Sequence, residues 1–162
     1  MGTNHDFDRV YREAGPGLWR ALYAFTGGRR DVAEEALAEA FTRAVEHAER
    51  IRSPVPWVYR TAFRLARVEL EREHRFGEKS TEASAYDAIP DDLEQLMQAL
   101  RALSPNQRAA IVLRFEEGLS VSEVAARMGI SSATVRVHVF RGRKRLRELL
   151  GSDETSDEVT DA

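Results

Sequence analysis

The stretch from Ser120 to Leu146 constrains the fold most, because it holds two short helical patterns on either side of a Met-Gly-Ile break. The apolar residues of the first pattern share one helix face: Val121, Val124, Ala125 and Met128. Gly129 follows where helices commonly end in a left-handed residue, and Ser131 or Ser132 can cap the next helix. The second pattern has its own buried face: Val135, Val139, Gly142 and Leu146. Two short helices at a tight glycine turn predict a helix-turn-helix.

The opposite face of the second predicted helix is cationic. From Ser120 to Arg147 there are seven basic residues and one acid, a local charge of +6 in a chain whose net charge is −3. Val137 and Phe140 interrupt these cations and have no evident role in water unless another molecule covers them. A recognition helix needs cations beside phosphates and apolar or polar groups at base edges. The pattern favours duplex DNA as a partner over the alternative, an arginine-rich helix that is merely solvated.

Charge is segregated along the whole chain of 162 residues. The net charge is zero over 1–73, −3 over 74–92, +5 over 93–150 and −5 over 151–162. Blocks of this kind predict one basic surface, an acidic connection before it and an acidic tail after it.

The N-terminal part has helical periodicity, and no run alternates as a strand would. Three apolar residues share a face of the first predicted helix, which ends at Gly27-Gly28: Leu18, Leu22 and Phe25. The second is predicted to begin at Asp31, a good N-cap, with Glu34 completing a capping box. Its apolar face is rich in alanine: Ala33, Ala36, Leu37, Ala40, Phe41, Ala44 and Ala48.

A third helix is predicted to begin at Ser53, with Pro54 at its first position, where proline costs least. It continues through residues about one turn apart: Trp57, Thr61, Leu65 and Val68. The pattern stops at His74, and helix restarts at Ser104, where Gln107 completes a second box. The sequence therefore predicts an all-α protein. Its two small helical domains cover 1–73 and 93–150, a flexible acidic linker between them covers 74–92, and a disordered tail covers 151–162.

Several classes of protein are disfavoured. The chain has no cysteine, and its four histidines are scattered, so disulfides are excluded and a metal site or other cofactor has little support. We find no nucleophile–base pair or phosphate loop, which argues against an enzyme. The charged N-terminus lacks the apolar core of a signal peptide, and no apolar run could span a bilayer, so a cytoplasmic protein is expected.

Residues 103–149, LSPNQRAAIVLRFEEGLSVSEVAARMGISSATVRVHVFRGRKRLREL, strongly resemble the C-terminal domain of the extracytoplasmic-function group of bacterial sigma factors. The N-terminal part resembles the other conserved domain of that group. The segment DVAEEALAEAFTRAV matches the acidic helix that grips the clamp of RNA polymerase. The segment PVPWVYRTAFRLARVELERE matches the Trp-bearing helix that recognises and opens the downstream promoter element.

The resemblance implies a transcription initiation factor with RNA polymerase core, double-stranded promoter DNA and an anti-sigma factor as partners. It assigns polymerase contact to Glu34, Glu35 and Glu39. It assigns promoter contacts to residues of both domains: Ser132, Thr134, Arg136, Val137, Phe140, Arg141, Lys144, Arg60, Arg64 and Arg67. Arg108 and Arg114 would assist at the DNA backbone, whereas Trp57 is expected in the core.

Departures from the family pattern leave alternatives open. Arg64 and Val68 stand where the family usually has Asn and Asp, and Glu71-Arg72-Glu73 replaces a run of arginines. Carboxylates near DNA oppose the counterion release that dominates affinity for DNA. A second hypothesis is therefore that the protein is a sigma-like DNA-binding regulator that has lost the ability to open promoters. A third is a protein-interaction module in which the acidic tail screens the basic helix.

Overall fold

The computed structural model describes residues 3–77 and 90–151, and the regular elements in those ranges are helical, which confirms the all-α prediction. The α-helices are α1 (Thr3–Phe25), α2 (Arg30–Glu46), α3 (Pro54–Phe76), α4 (Asp91–Arg101), α5 (Pro105–Ile111), α6 (Val121–Met128) and α7 (Ser132–Leu150). A 3-10 turn, Ala48–Arg50, precedes α3, and a π-helical turn, Val112–Glu116, continues α5. None of the helices so described could cross a membrane. The predicted linker and tail lie mostly outside the described residues.

Most helix ends in the C-terminal half follow the local signals in the sequence. The Ser104 hydroxyl accepts a hydrogen bond from the Gln107 amide at 3.2 Å. Ser120 forms a complete capping box, since its hydroxyl accepts from the Glu123 amide and its own amide donates to the Glu123 carboxylate. Gly129 ends α6 in the left-handed conformation with φ of 73°. These signals confirm the predicted helix-turn-helix formed by α6 and α7.

The N-terminal helices depart from prediction at three points. The predicted cap at Asp31 is wrong: α2 begins at Arg30, and the Asp31 carboxylate accepts hydrogen bonds from the Arg29 side chain instead. The α3 helix runs to Phe76, three residues beyond its apolar pattern, and ends at a left-handed Gly77. Val68 continues the predicted spacing of about one turn along α3, yet it is 53% exposed.

A three-helix core forms where α1, α2 and α3 pack together. Leu18 and Leu22 are fully buried, and Phe25 is nearly so, as predicted. The predicted face of α2 is buried at six of its seven positions: Ala33, Ala36, Leu37, Ala40, Phe41 and Ala44. Small alanine side chains let neighbouring helix backbones approach closely, which explains why so few large residues are needed in α2.

The two halves of the chain pack on each other in this structure. Leu113, Val124 and Val135 belong to the same apolar cluster as Leu18 and Leu22 of the N-terminal half. A second, smaller cluster joins residues of α4, α5 and the segment between them to Tyr23 of α1: Met97, Leu100, Leu103 and Ile111. The helix-turn-helix formed by α6 and α7 is therefore held by contacts with the N-terminal half as well as with the rest of the C-terminal half.

Gly142 lies where α7 crosses α5, and a larger residue there is expected to destabilise the protein. A Cβ atom at Gly142 would lie 2.8 Å from Cγ1 of the buried Ile111. Gly142→Val should lower the free energy of unfolding by about 1–3 kcal/mol, because overpacking shifts buried neighbours. Urea unfolding checks this against Ala133→Val, which adds a valine at an exposed position of α7. Equal losses in the two variants would contradict the tight crossing.

Candidate nucleic-acid interface

One face of α7 is held by the core while the other is presented to solvent. Val135 is fully buried and Gly142 is buried against α5, which fixes the rotation of the helix. Val137 is 43% exposed and Phe140 is 67% exposed on the outer face. The basic residues predicted beside them are exposed as well: Arg136, Arg141 and Lys144. The structure thus brings together the cationic and apolar groups that were predicted to contact DNA.

The N-terminus of α7 is ordered by its own cap. The Ser131 hydroxyl accepts a hydrogen bond from the Thr134 amide at 3.1 Å and lies 2.8 Å from the Thr134 hydroxyl. Ser132 is half-buried and Thr134 is exposed, so both predicted contact residues stand at the start of the helix. Backbone amides at a helix N-terminus are a common binding site for phosphate.

An aromatic side chain that the sequence analysis did not single out borders the cationic face. Phe115 is 52% exposed, and its ring lies 5.5 Å from the guanidinium groups of both Arg114 and Arg143. Arg143 belongs to α7, so this ring helps to place one of the flanking cations. The signal in the sequence that could have identified Phe115 is its position as a large aromatic residue directly before Glu116-Glu117, where an apolar pattern ends.

Arg108, which was predicted to assist at the DNA backbone, is engaged within the protein in this structure. Its guanidinium donates hydrogen bonds to four carbonyl oxygens, those of Phe25, Leu100, Arg101 and Leu103. Burial lowers its pKa. Arg114 is also engaged within the protein, since Nη1 donates to the Leu119 carbonyl at 3.1 Å.

The three arginines predicted as DNA contacts on α3 have different surroundings. Arg60 is half-buried, and Nη1 donates to the Ala126 carbonyl of α6 at 2.9 Å. Arg64 is exposed one turn further on. Arg67 is exposed and donates to Glu71 at 3.0 Å. The structure therefore does not present the three guanidinium groups as one open surface.

One of the two acids that appeared to oppose DNA points into the protein. Glu73 accepts hydrogen bonds from Nη1 and Nη2 of Arg29 at 2.7 and 3.0 Å, and its side chain is only 16% exposed. Arg29 in turn holds the pKa of Asp31 below its ordinary value. The Glu73 carboxylate thus has a role in the N-terminal core.

The predicted polymerase contacts lie along the outer side of α2. Glu34 and Glu35 are exposed, and Glu39 is half-exposed. Two of the acids form weak (i, i+4) pairs on the helix surface, Glu34 with Arg30 at 3.6 Å and Glu39 with Arg43 at 2.8 Å. A row of surface carboxylates is suited to meeting a basic partner.

Comparison with solved structures supports the fold. The sigma factor RpoE of Bartonella quintana, solved with the anti-sigma factor NepR, superposes with a TM-score of 0.70 at 24% identity, over 92% of this chain and 99% of that one. CnrH in complex with the cytosolic domain of CnrY gives a TM-score of 0.71 at 24% identity, over 94% and 92% of the two chains. At this identity the likeness concerns the fold.

Sequence comparison identifies the family. The model of sigma-70 region 4 matches residues 93–146. The chain is 35% identical to the RNA polymerase sigma factor CarQ of Myxococcus xanthus over 62% of each chain, and 31% identical to the ECF sigma factor SigE of Mycolicibacterium smegmatis over 93% of this chain. It spans just under two thirds of the length of these two relatives, 62% and 64%. It is also 34% identical to the RNA polymerase sigma-E factor of Streptomyces coelicolor, over 93% of this chain and 89% of that protein. The chain therefore belongs to the extracytoplasmic-function group of bacterial RNA polymerase sigma factors.

Proposed function

We propose that the chain binds RNA polymerase core and directs it to a set of promoters whose upstream element is read by α7. The observation that carries this proposal is the outer face of α7, where exposed cations surround the exposed Val137 and Phe140. The function is non-catalytic, because it consists of holding polymerase and promoter in register.

The residues of α7 divide into two roles by their chemistry. Arg136, Arg141 and Lys144 contact phosphates and supply most of the salt-dependent affinity. Val137 and Phe140 face the base edges, where an apolar side chain can meet a thymine methyl group. Ser132 and Thr134 contact the backbone beside the first turn of the helix, where amides favour an anion.

The N-terminal half provides the second set of contacts. Glu34, Glu35 and Glu39 orient the protein on the basic clamp of the polymerase, a role in which charge sets encounter rate and register more than affinity. Arg64, Arg67 and, when it is released from α6, Arg60 contact the downstream element. The sigma factor RpoE was solved with the anti-sigma factor NepR, and CnrH was solved with the cytosolic domain of CnrY. We propose that an anti-sigma factor is a partner of this chain too.

In vitro transcription with purified core polymerase tests the proposal. The full chain should yield promoter-specific transcripts from genomic fragments, and permanganate should detect unpaired thymines at the start of those transcripts. Specific duplex binding without transcripts or reactive thymines would instead indicate a DNA-binding regulator that does not open promoters.

Neutralising the acidic row on α2 is expected to weaken core binding about tenfold without unfolding the protein. Replacing Glu34, Glu35 and Glu39 by glutamine removes three surface charges that would face a basic clamp, each worth a few tenths of a kcal/mol to about 1 kcal/mol. Competition with a labelled sigma factor for core polymerase measures the change. A control with the same charge change replaces three other exposed acids, Glu13, Glu46 and Glu49. Equal losses in the two variants would contradict a specific role for Glu34, Glu35 and Glu39.

A further inference from the structure

A cavity of about 380 Å³ lies between the second half of α3 and the start of α5. One face of α3 lines it with side chains about one turn apart: Arg67, Leu70, Glu71, His74 and Arg75. Pro105 and Arg108 of α5, with Phe25 at the end of α1, form the rest of its wall. Small-molecule sites in proteins have volumes of about 300–1,000 Å³, so this cavity is large enough to hold a ligand.

The charges that line this cavity are mostly positive. Arg67, Arg75 and Arg108 contribute three guanidinium groups, and His74 adds an imidazole. Glu71 is the only acid among the described residues of the wall, and it accepts a hydrogen bond from Nε of Arg67 at 3.0 Å. One carboxylate therefore stands against three permanent positive charges. A cleft lined by charge of one sign concentrates ligands of the opposite sign, so this cavity favours an anion.

The positive charge of Arg108 has no carboxylate partner in the part of the chain that is described. A guanidinium has five N–H groups, and four of those on Arg108 donate to backbone carbonyl oxygens at 2.9–3.4 Å. The fifth, on Nη1, has no acceptor among the described residues. Burial lowers the pKa of Arg108, and repulsion by Arg101 and Arg67 lowers it further. A desolvated cation is costly unless an anion pairs with it, so a bound anion would offset this cost.

The shape and chemistry of the wall favour a small phosphorylated ligand. Guanidinium groups bind phosphate oxygens through charge-assisted and often bidentate hydrogen bonds. Leu70 and Pro105 give the cavity an apolar part, and its volume leaves room for more than a phosphate group alone. Arg108 is half-buried and held by its carbonyl contacts, so an anion has to enter the cavity to reach it. A small molecule can enter in this way, whereas the phosphates of a duplex lie on the outside of a wide and stiff rod.

We propose that the cavity between α3 and α5 binds a small phosphorylated molecule, whose phosphate group accepts hydrogen bonds from Arg75 and Arg108 and faces the guanidinium of Arg67. The bound phosphate supplies the counter-ion that Arg108 lacks among the described residues. A ligand that binds the folded chain also stabilises it in proportion to its concentration and affinity. The site is separate from the outer face of α7, so it goes beyond the proposed reading of promoter DNA and does not depend on it.

Isothermal titration calorimetry with pyrophosphate at constant ionic strength tests the site. Arg75→Gln removes an exposed cation of the wall that stacks on the neighbouring Phe76 ring, so the fold and its helical circular dichroism should be kept. We expect this variant to bind pyrophosphate about tenfold more weakly than the wild type, as the loss of a charge-assisted hydrogen bond suggests. Arg12→Gln makes the same charge change at an exposed residue of α1 outside the cavity and should bind like the wild type. An equal loss in both variants, or no binding by the wild type at millimolar pyrophosphate, would overturn the site.

Removing the acid of the wall should change the affinity in the opposite direction. Glu71→Gln deletes that carboxylate and frees Arg67 from its ion pair at 3.0 Å, so it should bind pyrophosphate about threefold more tightly than the wild type. Glu13→Gln, at an exposed acid of α1, is the matched control and should leave the affinity unchanged. Equal affinities of Glu71→Gln and Glu13→Gln would contradict an anion in this cavity.

The same titration distinguishes the cavity from the proposed DNA interface. The variant that replaces Arg136, Arg141 and Lys144 of α7 by glutamine should keep the wild-type affinity for pyrophosphate. Loss of pyrophosphate binding in that variant would place the anion on α7 and overturn the cavity site. If the wild type binds pyrophosphate through Arg75 but does not bind a duplex, the cavity site stands and the assignment of α7 to DNA fails.

Discussion

Replacing Arg136, Arg141 and Lys144 together by glutamine is expected to weaken duplex binding about 100-fold at fixed salt and to flatten its salt dependence. The three side chains are exposed on the outer face of α7, and no ion pair of theirs occurs among the described residues. Each phosphate contact contributes about 0.9 to the slope of log affinity against log salt, so losing three should reduce that slope by about 2.7. Fluorescence anisotropy over a salt series measures both quantities.

A charge-matched variant distinguishes this face from the general charge of the protein. Replacing Arg9, Arg12 and Arg43 by glutamine removes the same charge from α1 and α2 of the N-terminal half, where no duplex contact is proposed. This variant should keep most of the wild-type affinity and slope. Equal salt slopes for the wild type and the α7 variant would contradict the proposal that α7 contacts DNA. They would therefore also contradict the proposal that α7 reads the upstream promoter element.

Structure set by neighbouring residues could be predicted from the sequence. The capping box at Ser120, the left-handed Gly129 and the exposed pair Val137 and Phe140 each follow from side chains within a few residues along the chain. Local hydrogen bonds and helical periodicity determine them, so the helix-turn-helix and the outward face of α7 could be predicted correctly from the sequence. The DNA contacts assigned to that face remain predictions.

Contacts between distant residues could not be predicted in the same way. The family resemblance assigned Arg108 to the DNA backbone, but its guanidinium donates to the Phe25 carbonyl at the end of α1, 83 residues earlier. Asp31 looked like an N-cap, but the distant Glu73 draws Arg29 inward and Asp31 binds the same guanidinium. The α4 helix was missed because helix was predicted to restart only at Ser104, although residues 93–103 were assigned to the C-terminal domain. In each case tertiary packing decided between two locally acceptable roles.

Arg29→Met is expected to lower the free energy of unfolding by about 3 kcal/mol. The Arg29 side chain is only 6% exposed and bridges Glu73, 16% exposed, to Asp31 across the start of α2. Removing one member of a buried charge pair leaves the other desolvated without compensation, which is far more costly than losing a surface pair. Arg30→Met, at the neighbouring exposed arginine, should change stability by about 0.5 kcal/mol or less. Urea unfolding of both variants measures the contrast.

A second substitution and a pH series separate lost charge pairing from lost packing. Adding Glu73→Gln to Arg29→Met removes the uncompensated carboxylate and should recover part of the stability; no recovery would mean that packing of the arginine stem dominates. Arg29 lowers the pKa of Asp31 from 3.8, so the stability that Asp31 contributes is present above that value and is lost as the pH falls through the lower, folded-state pKa. The difference between wild type and Arg29→Met should therefore be constant from about pH 5 to 8 and shrink in acid. A difference that persists unchanged below pH 3 would contradict an electrostatic origin.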